Sequence, residues 1–176
     1  MADFFNVAKF PGKRGLRKGA KVNLEFALIA DGVLAKDVYG VLATPEGVDR
    51  AFKKLDTIKG DVVWWEAGAQ PPQLLADGEV SMTTAYNGRI FNAVAGEGKA
   101  FEIVWDGQIL DLDLFVIPKG APNKEEALKF IAFATDTQRL ADQAKYISYG
   151  PARTGRLNKQ GRLVRDGSEN RADYDP

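Results

Sequence analysis

The chain has 176 residues, of which 45% are hydrophobic and 27% are charged, and its 24 basic side chains balance 24 acidic ones. This composition is ordinary for a soluble globular protein with one sizeable core, and the balanced charge predicts no affinity for nucleic acid. The sequence contains no cysteine and no histidine, which excludes disulfides, thiol catalysis, imidazole chemistry and most zinc sites.

The start of the chain predicts neither a leader peptide nor a regular element. Residues 1–5 lack the basic and apolar regions of a secretory signal, and no apolar run reaches the roughly 18 residues of a membrane span. Residues 10–19 combine glycine and proline with four basic side chains, which predicts a solvated loop. Phosphate binding by this loop is the weaker alternative, because the spacing is not that of a P-loop.

Helices and strands are predicted to alternate along residues 23–105. Apolar spacing predicts a helix over residues 23–30, and Thr44 followed by Pro45 predicts the capped start of a second helix. The residues predicted to form the buried stripe of that second helix are Val48, Ala51, Phe52 and Leu55. Further strands are predicted over residues 61–66, 80–86 and 103–105, and further helices over residues 73–76 and 89–95. This alternation predicts an α/β sheet covered by helices.

Residues 110–117 carry the most informative pattern of the chain. Asp111 and Asp113 alternate with leucines at positions 110, 112 and 114, which predicts a strand with both carboxylates on one face. An acidic face of this kind indicates either a cation-binding site or a strand edge that faces water. The pattern alone leaves both interpretations open.

The last third of the chain is predicted to hold a helix and a polar tail. Asn123, with Glu126 three residues later, predicts a capping box. The apolar residues of this helix predicted to pack inward, or to widen the apolar stripe, are Leu128, Phe130, Ile131, Ala132 and Phe133. Residues 152–176 are predicted to be a polar, disordered tail, because glycines interrupt any helix. A basic amphipathic helix that binds an anion is the alternative there.

Several segments resemble, in their order along the chain, a known protein family. They are residues 10–14, 64–73, 75–80, 84–89 and 112–123. In these segments the chain is similar to the periplasmic solute-binding proteins of ABC importers, of the spermidine/putrescine-binding type. The resemblance covers roughly residues 3–151.

The resemblance implies an α/β fold, namely one lobe of a type II periplasmic-binding-protein-like fold with a mixed sheet flanked by helices. Family members have two lobes that close on a solute, and a chain of about half their usual length would hold the second lobe only. Residues 1–110 would be the solute-binding lobe, residues 111–151 the crossover strand and returning helices, and residues 152–176 the tail. A crossover strand without its own sheet leaves backbone groups unpaired, so a homodimer through this strand is predicted.

The resemblance also implies candidate ligand residues. In the polyamine binders a carboxylate pairs with the ligand ammonium, and aromatic side chains cover the methylene chain. Asp113 matches the carboxylate, with a solvated edge-strand aspartate as the alternative, and Tyr86 matches the aromatic wall, with core packing as the alternative. The weaker candidates are Asp111, Glu25 and Tyr149.

Arg89 departs from the pattern of the polyamine binders. Some diamine binders of the family have an acid at this position, three residues after the wall aromatic. An arginine repels an ammonium group and favours a carboxylate or a phosphate. An aspartate paired with Arg89 therefore suits an amino-acid-like zwitterion better than a pure polyamine, and the sequence leaves the choice between these two ligand classes open.

The predicted function is non-catalytic binding of a small polar solute, without a cofactor, for delivery to an ABC permease. The predicted location is the periplasm, by resemblance. The alternative is a truncated lobe that folds and oligomerises without transport function. A glycosidase-like enzyme would use Asp111 or Asp113 together with Glu66, but no nucleophile, metal-ligand or phosphate-loop pattern supports an enzyme.

Overall fold

The computed structural model describes residues 1–150 and the strand residues 156–157 and 163–164. By its internal contacts the chain divides into two units, Met1–Leu110 and Asp111–Pro176. Among the described residues, no helix combines the length and the apolar character that crossing a bilayer requires.

A parallel three-stranded sheet lies at the centre of the first unit. Strand β1 (Arg14–Arg17) lies between β2 (Val62–Trp65) and β3 (Met82–Thr83). Both neighbours run parallel to β1, so the prediction of a mixed sheet is wrong for this unit. The reason is that each connection between these strands contains a helix, and a helical crossover returns the chain in the same direction.

The central strand also shows that the prediction of a solvated loop over residues 10–19 is wrong for residues 14–17, while the residues on either side form no regular element. Arg14 and Leu16 are 0% and 1% exposed, and β1 is paired along both of its edges. The guanidinium of Arg14 donates hydrogen bonds of 2.5–2.7 Å to the backbone carbonyls of Phe4, Phe10 and Gly12. Strand pairing and the hydrogen bonds of the buried Arg14 guanidinium therefore outweigh the local preference of glycine and proline for a loop.

Helices connect the strands of the first unit. They are α1 (Asn23–Ala30), α2 (Val38–Leu42), α3 (Pro45–Asp56), α4 (Gln70–Ala76) and α5 (Asn87–Phe91). Short 3₁₀ turns at Ala35–Asp37 and Lys59–Asp61 and a π-helical turn at Asn92–Gly96 complete the set. The predicted helix over residues 23–30 is confirmed, and Thr44 caps α3 as predicted, because its Oγ1 accepts a hydrogen bond of 3.1 Å from the Gly47 amide.

The core of the first unit is formed mainly by the sheet, the N-terminal segment and the first helices. Its buried residues are Phe4, Phe5, Leu16, Ala27, Leu28, Val38, Ala51 and Ile58. In the stripe predicted for α3, Ala51 is fully buried, whereas Phe52 is 51% exposed. Phe52 follows Ala51 by one residue, which turns its side chain about 100° away from the core.

Neither of the strands predicted after residue 100 forms. Residues 103–105 and residues 110–117 contain no strand, and the three leucines at positions 110, 112 and 114 are 83%, 67% and 80% exposed. A strand needs a neighbour for its backbone N–H and C=O groups, and no described residue pairs with residues 110–117 in a sheet. The strand edge on which the predicted homodimer depended is therefore missing from the described part of the chain.

The second unit contains α6 (Lys124–Ala134) and α7 (Thr137–Gln143). The predicted helix after Asn123 is confirmed, but its capping box does not form, because the Asn123 side chain makes no capping hydrogen bond. No residue of α6 is buried, so the prediction of an inward-packing stripe is wrong. Within this unit the ring of Phe130 meets that of Phe115 edge to face, with the centroids 6.1 Å apart, and Arg139 lies over the ring of Phe133. These contacts leave both α6 rings 58% exposed.

Part of the predicted tail forms regular structure. Strands β4 (Arg156–Leu157) and β5 (Leu163–Val164) pair in antiparallel orientation. At these positions the predictions of disorder and of an amphipathic helix are both wrong, since the two short segments pair with each other. The other positions of residues 151–176 lie outside the described residues.

Candidate functional site

The carboxyl ends of the parallel strands bring Arg17, Trp65 and Tyr86 together, and this set is called the carboxyl edge here. Strand β1 ends at Arg17 and β2 ends at Trp65, while Tyr86 follows shortly after β3. The chain moves from β1 to β2 and then crosses back to β3 on the other side of β1. The strand order therefore reverses at β1, and such a switch point is where α/β sheets bind ligands.

The side chain of Tyr86 is held by three contacts within the first unit. Its ring meets Trp65 edge to face, with the ring centroids 6.1 Å apart and the planes at 71°. Its hydroxyl oxygen accepts a hydrogen bond of 2.8 Å from Nη1 of Arg17, whose guanidinium carbon lies 5.8 Å from the ring centroid. Gly68 leaves space on another side of the ring. Tyr86 is half-buried, so its ring packs in the unit while its hydroxyl lies beside the exposed Arg17.

Trp65 is the buried member of the carboxyl edge, and its indole carries a polar group of unusual environment. The side chain is 3% exposed, and its Nε1 is a buried donor without a hydrogen-bond partner among the described residues. Buried donors in native structures are nearly always paired. The edge therefore contains donor capacity that the described chain does not use.

Two exposed arginines belong to this region, and neither forms an ion pair with a described carboxylate. Arg17 ends β1, and Arg89 lies in α5, where its backbone amide donates a hydrogen bond of 3.0 Å to the carbonyl of Tyr86. By contrast, Nζ of Lys18 lies 2.9 Å from Oε1 of Glu66, and this hydrogen bond raises the pKa of the Lys18 ammonium. The uncompensated charge near Tyr86 is therefore positive.

The predicted site residues fall into both units. In the first unit the structure brings Tyr86 and Arg89 together, whereas Glu25 lies in the first turn of α1 and is 8% exposed. A carboxylate in that position favours the helix itself, since it lies at the positive end of the helix dipole. In the second unit, the predicted ligand residues are Asp111, Asp113 and Tyr149, all of them exposed.

Arg17 is a candidate site residue that the sequence reasoning missed. The loop predicted over residues 10–19 concealed the strand that ends at Arg17. The signal that could have found it is the strand–helix alternation itself, because the helix over residues 23–30 calls for a preceding strand in an α/β fold. Such a strand places its last residue at the ligand-binding edge of the sheet.

A recess of about 580 Å³ lies elsewhere in the first unit, between α2 and the start of α3. Its charged lining residues are Lys36, Asp37, Glu46 and Arg50. Acidic and basic groups balance in this lining, and Arg50 is already engaged with Asp31 at 2.7 Å. This recess therefore favours no charged ligand, unlike the carboxyl edge.

Comparison with curated proteins finds solute-binding proteins of bacteria. The chain is 58% identical over 156 residues to the gamma-aminobutyric acid-binding protein of Pseudomonas aeruginosa, covering 89% of this chain and 44% of that protein. It is 30% identical over 112 residues to the spermidine/putrescine-binding periplasmic protein of Salmonella typhimurium, covering 62% of this chain and 32% of that protein. The spermidine/putrescine type predicted from the sequence is therefore matched only distantly.

Solved structures agree with this assignment. The structure of the Atu4243-GABA receptor superposes with a TM-score of 0.69 at 43% identity, over 85% of this chain and 45% of that one. An ABC transporter substrate-binding protein from Bradyrhizobium japonicum superposes with a TM-score of 0.68 at 41% identity, over 85% and 45%. These neighbours confirm the predicted α/β fold of a periplasmic binding protein.

The relatives found are binding proteins of transport systems, and they are extracellular or periplasmic and not enzymes. The chain spans about half the length of the relatives that it matches. The family model for bacterial extracellular solute-binding proteins matches residues 1–163. With nearly its whole described length matched in this way, the chain belongs to the family of bacterial extracellular solute-binding proteins.

Proposed function

We propose that this chain forms part of a receptor for a small amino-acid-like zwitterion of the γ-aminobutyrate kind, serving an ABC importer in the periplasm. The observation that carries the proposal is the exposed guanidinium of Arg17, which lies against Tyr86 without a described carboxylate partner. A second exposed arginine, Arg89, follows three residues after Tyr86 in α5. Guanidinium groups bind carboxylates through paired N–H donors and repel ammonium groups. A solute with a carboxylate therefore suits this surface better than spermidine or putrescine, which carry only cations.

The relatives support the same ligand class. The relative with 58% identity is a γ-aminobutyric acid-binding protein, and a structural neighbour at 43% identity is the Atu4243-GABA receptor. The spermidine/putrescine-binding relative is 30% identical over a shorter segment. The proposal includes delivery of the solute to an ABC permease. It is a proposal and not a finding, since the chain spans about half the length of its relatives.

The ammonium group of a zwitterion needs an acidic partner on the protein. Asp113 stays the predicted ligand for this group, with Asp111 as a second carboxylate, and both side chains are exposed in the second unit. Glu25 and Tyr149 stay weaker predictions.

A ligand panel tests the proposal on the 176-residue chain. The panel contains γ-aminobutyrate, putrescine, spermidine and phosphate, and the readout is the melting temperature. A solute at 100 times its dissociation constant stabilises a protein by about 2.7 kcal/mol, so γ-aminobutyrate is expected to raise the melting temperature clearly and putrescine to leave it unchanged.

The opposite ranking, with putrescine or spermidine stabilising and γ-aminobutyrate inactive, would contradict the zwitterion proposal and restore the polyamine one. The variant Asp113→Asn is expected to weaken γ-aminobutyrate binding about tenfold, since it removes the carboxylate charge that the prediction assigns to the ammonium. The predicted alternative, a lobe that oligomerises without transporting, would appear as an oligomer in light scattering with no response to any solute.

A further inference from the structure

The hydrogen bond between Arg17 and Tyr86 determines what the tyrosine hydroxyl has left to offer. Nη1 of Arg17 donates to the Tyr86 oxygen at 2.8 Å. A phenolic hydroxyl can accept one hydrogen bond and still donate its own proton. No described residue accepts that proton, and the Arg17 guanidinium makes no other hydrogen bond with the described side chains or carbonyls. The remaining N–H groups of Arg17 and the hydroxyl proton of Tyr86 therefore lie side by side without a described acceptor.

These donors lie where the sheet favours a ligand. Arg17 ends β1 and Tyr86 follows β3, so their contact bridges the two strands between which the strand order reverses. We propose that Arg17 and Tyr86 form a two-donor clamp for the carboxylate of the solute, in which the guanidinium holds one oxygen and the Tyr86 hydroxyl donates to the other. The clamp rests on the proposed function, since it names the group of the solute that this edge recognises.

The clamp gives Tyr86 a different task from the one predicted from the sequence. The predicted task was an aromatic surface that covers a methylene chain, which any ring performs. In the clamp the hydroxyl is the recognising group, and it discriminates between a carboxylate, which accepts hydrogen bonds, and an ammonium, which only donates them. The resulting preference is for ligands with a terminal carboxylate.

The surrounding residues hold the clamp in position before a solute arrives. The edge-to-face contact with Trp65 and the space left by Gly68 set the orientation of the Tyr86 ring. A donor that is already positioned loses less conformational freedom on binding. The next residue, Lys18, is also a cation, but its ammonium is paired with Glu66 at 2.9 Å. The charge of Lys18 is therefore less available to a ligand than that of Arg17.

That difference provides a matched control. Arg17→Gln and Lys18→Gln remove one positive charge each from neighbouring positions, but only Arg17 belongs to the clamp. The experiment titrates the 176-residue chain with γ-aminobutyrate, butanoate and butylamine by calorimetry.

We expect Arg17→Gln and Tyr86→Phe to weaken the binding of γ-aminobutyrate and of butanoate about tenfold or more, the usual effect of losing a hydrogen bond to a charged group. Lys18→Gln is expected to stay within about twofold of the parent, and butylamine binding to be equal in all variants.

Folding of each variant is checked by circular dichroism, and Arg17→Lys serves as a second variant that keeps the charge but loses the planar donor pair. Equal losses in Arg17→Gln and Lys18→Gln would show a general effect of positive charge and overturn the clamp. An unchanged carboxylate affinity in Tyr86→Phe would overturn it as well.

The clamp and the proposed function fail in different ways. If the parent binds γ-aminobutyrate and the Arg17 and Tyr86 variants bind it equally well, the clamp fails and the zwitterion receptor stands. If the parent binds butanoate as tightly as γ-aminobutyrate and the variants lose both, the clamp stands and the preference for a zwitterion fails. If the parent binds neither carboxylate, both proposals fail.

Discussion

Gly68 lies beside the ring of Tyr86 where no side chain fits: a Cβ at position 68 would stand 2.9 Å from Cδ2 and 3.1 Å from Cε2 of the ring. Carbon atoms at van der Waals contact are about 3.5–4.0 Å apart. The missing side chain at position 68 thus lets the ring remain edge to face with Trp65 while its hydroxyl reaches Arg17. A position with no functional group of its own thereby controls the geometry of the carboxyl edge.

The variant Gly68→Ala tests this control. The added methyl group is expected to displace the Tyr86 ring, lower the free energy of unfolding by about 1–3 kcal/mol and weaken carboxylate binding several-fold. Gly60→Ala is the matched control, because a Cβ at position 60 has nothing within 4 Å. Urea denaturation and calorimetric titration measure the two effects. Equal stability and equal carboxylate affinity of the two alanine variants would show that a side chain at position 68 does not displace the Tyr86 ring.

The buried guanidinium of Arg14 ties the N-terminal segment to the central strand. Burial lowers the pKa of this group, and the negative charge of Asp61 partly offsets the effect; an arginine nevertheless stays protonated at any ordinary pH. Arg14→Met keeps an apolar stem but leaves three backbone carbonyls without their donors, one in a buried hydrogen bond and two in partly buried ones. We expect it to lower the free energy of unfolding by about 3 kcal/mol or more.

Lys13→Met is the control for Arg14→Met, because the neighbouring Lys13 side chain is exposed and its loss should change stability by less than about 0.5 kcal/mol. The measurement is the urea midpoint of both variants. Similar midpoints would contradict this expectation and would mean that water replaces Arg14 as the hydrogen-bond donor to the three carbonyls.

The start of α3 depends on its cap. The hydroxyl of Thr44 accepts a hydrogen bond of 3.1 Å from the amide of Gly47, which satisfies one of the free donors at the helix terminus. Thr44→Ala is expected to lower the free energy of unfolding by about 1 kcal/mol, whereas Thr44→Ser keeps the oxygen and most of the stability. Chemical denaturation of both variants measures this difference, and a destabilisation of the same size in the serine variant would argue against capping.

Helix α7 is expected to respond to acid through Asp142. Hydrogen bonds from Lys145 at 2.9 Å and from Gln138 at 3.1 Å hold the pKa of the Asp142 carboxyl below its ordinary value. A carboxyl whose pKa is lower in the folded than in the unfolded state contributes stability above the unfolded pKa and loses it as the pH falls through the folded pKa. Amide exchange protection in α7 should therefore fall as the pH drops below about 4.

The control for the acid response is Asp142→Asn, which cannot titrate. Its α7 amides should show lower protection at neutral pH and no further change across the acid range. An acid-induced loss of the same size in this variant would assign the response to another group.

Helix prediction succeeded in this chain where the signals were local. The Thr44–Pro45 start and the apolar spacing over residues 23–30 lie within one or two helical turns, and both helices form. The resemblance to solute-binding proteins predicted Tyr86 and Arg89 as ligand residues, and both predictions stay untested. Burial was harder to predict: the apolar stripe of α6 lacks buried residues, since a stripe is buried only where another layer covers it.

Strands depended on partners that are distant in sequence. Alternation along residues 110–117 predicted a strand that does not form, whereas the short segment Arg14–Arg17 became the central strand because it pairs with β2 and β3. By itself, the sequence determined the fold class and the main helices. Only the tertiary structure decided that Arg17 donates to Tyr86 across 69 positions of the chain, because strand pairing, and not local preference, brings the ends of β1 and β3 together.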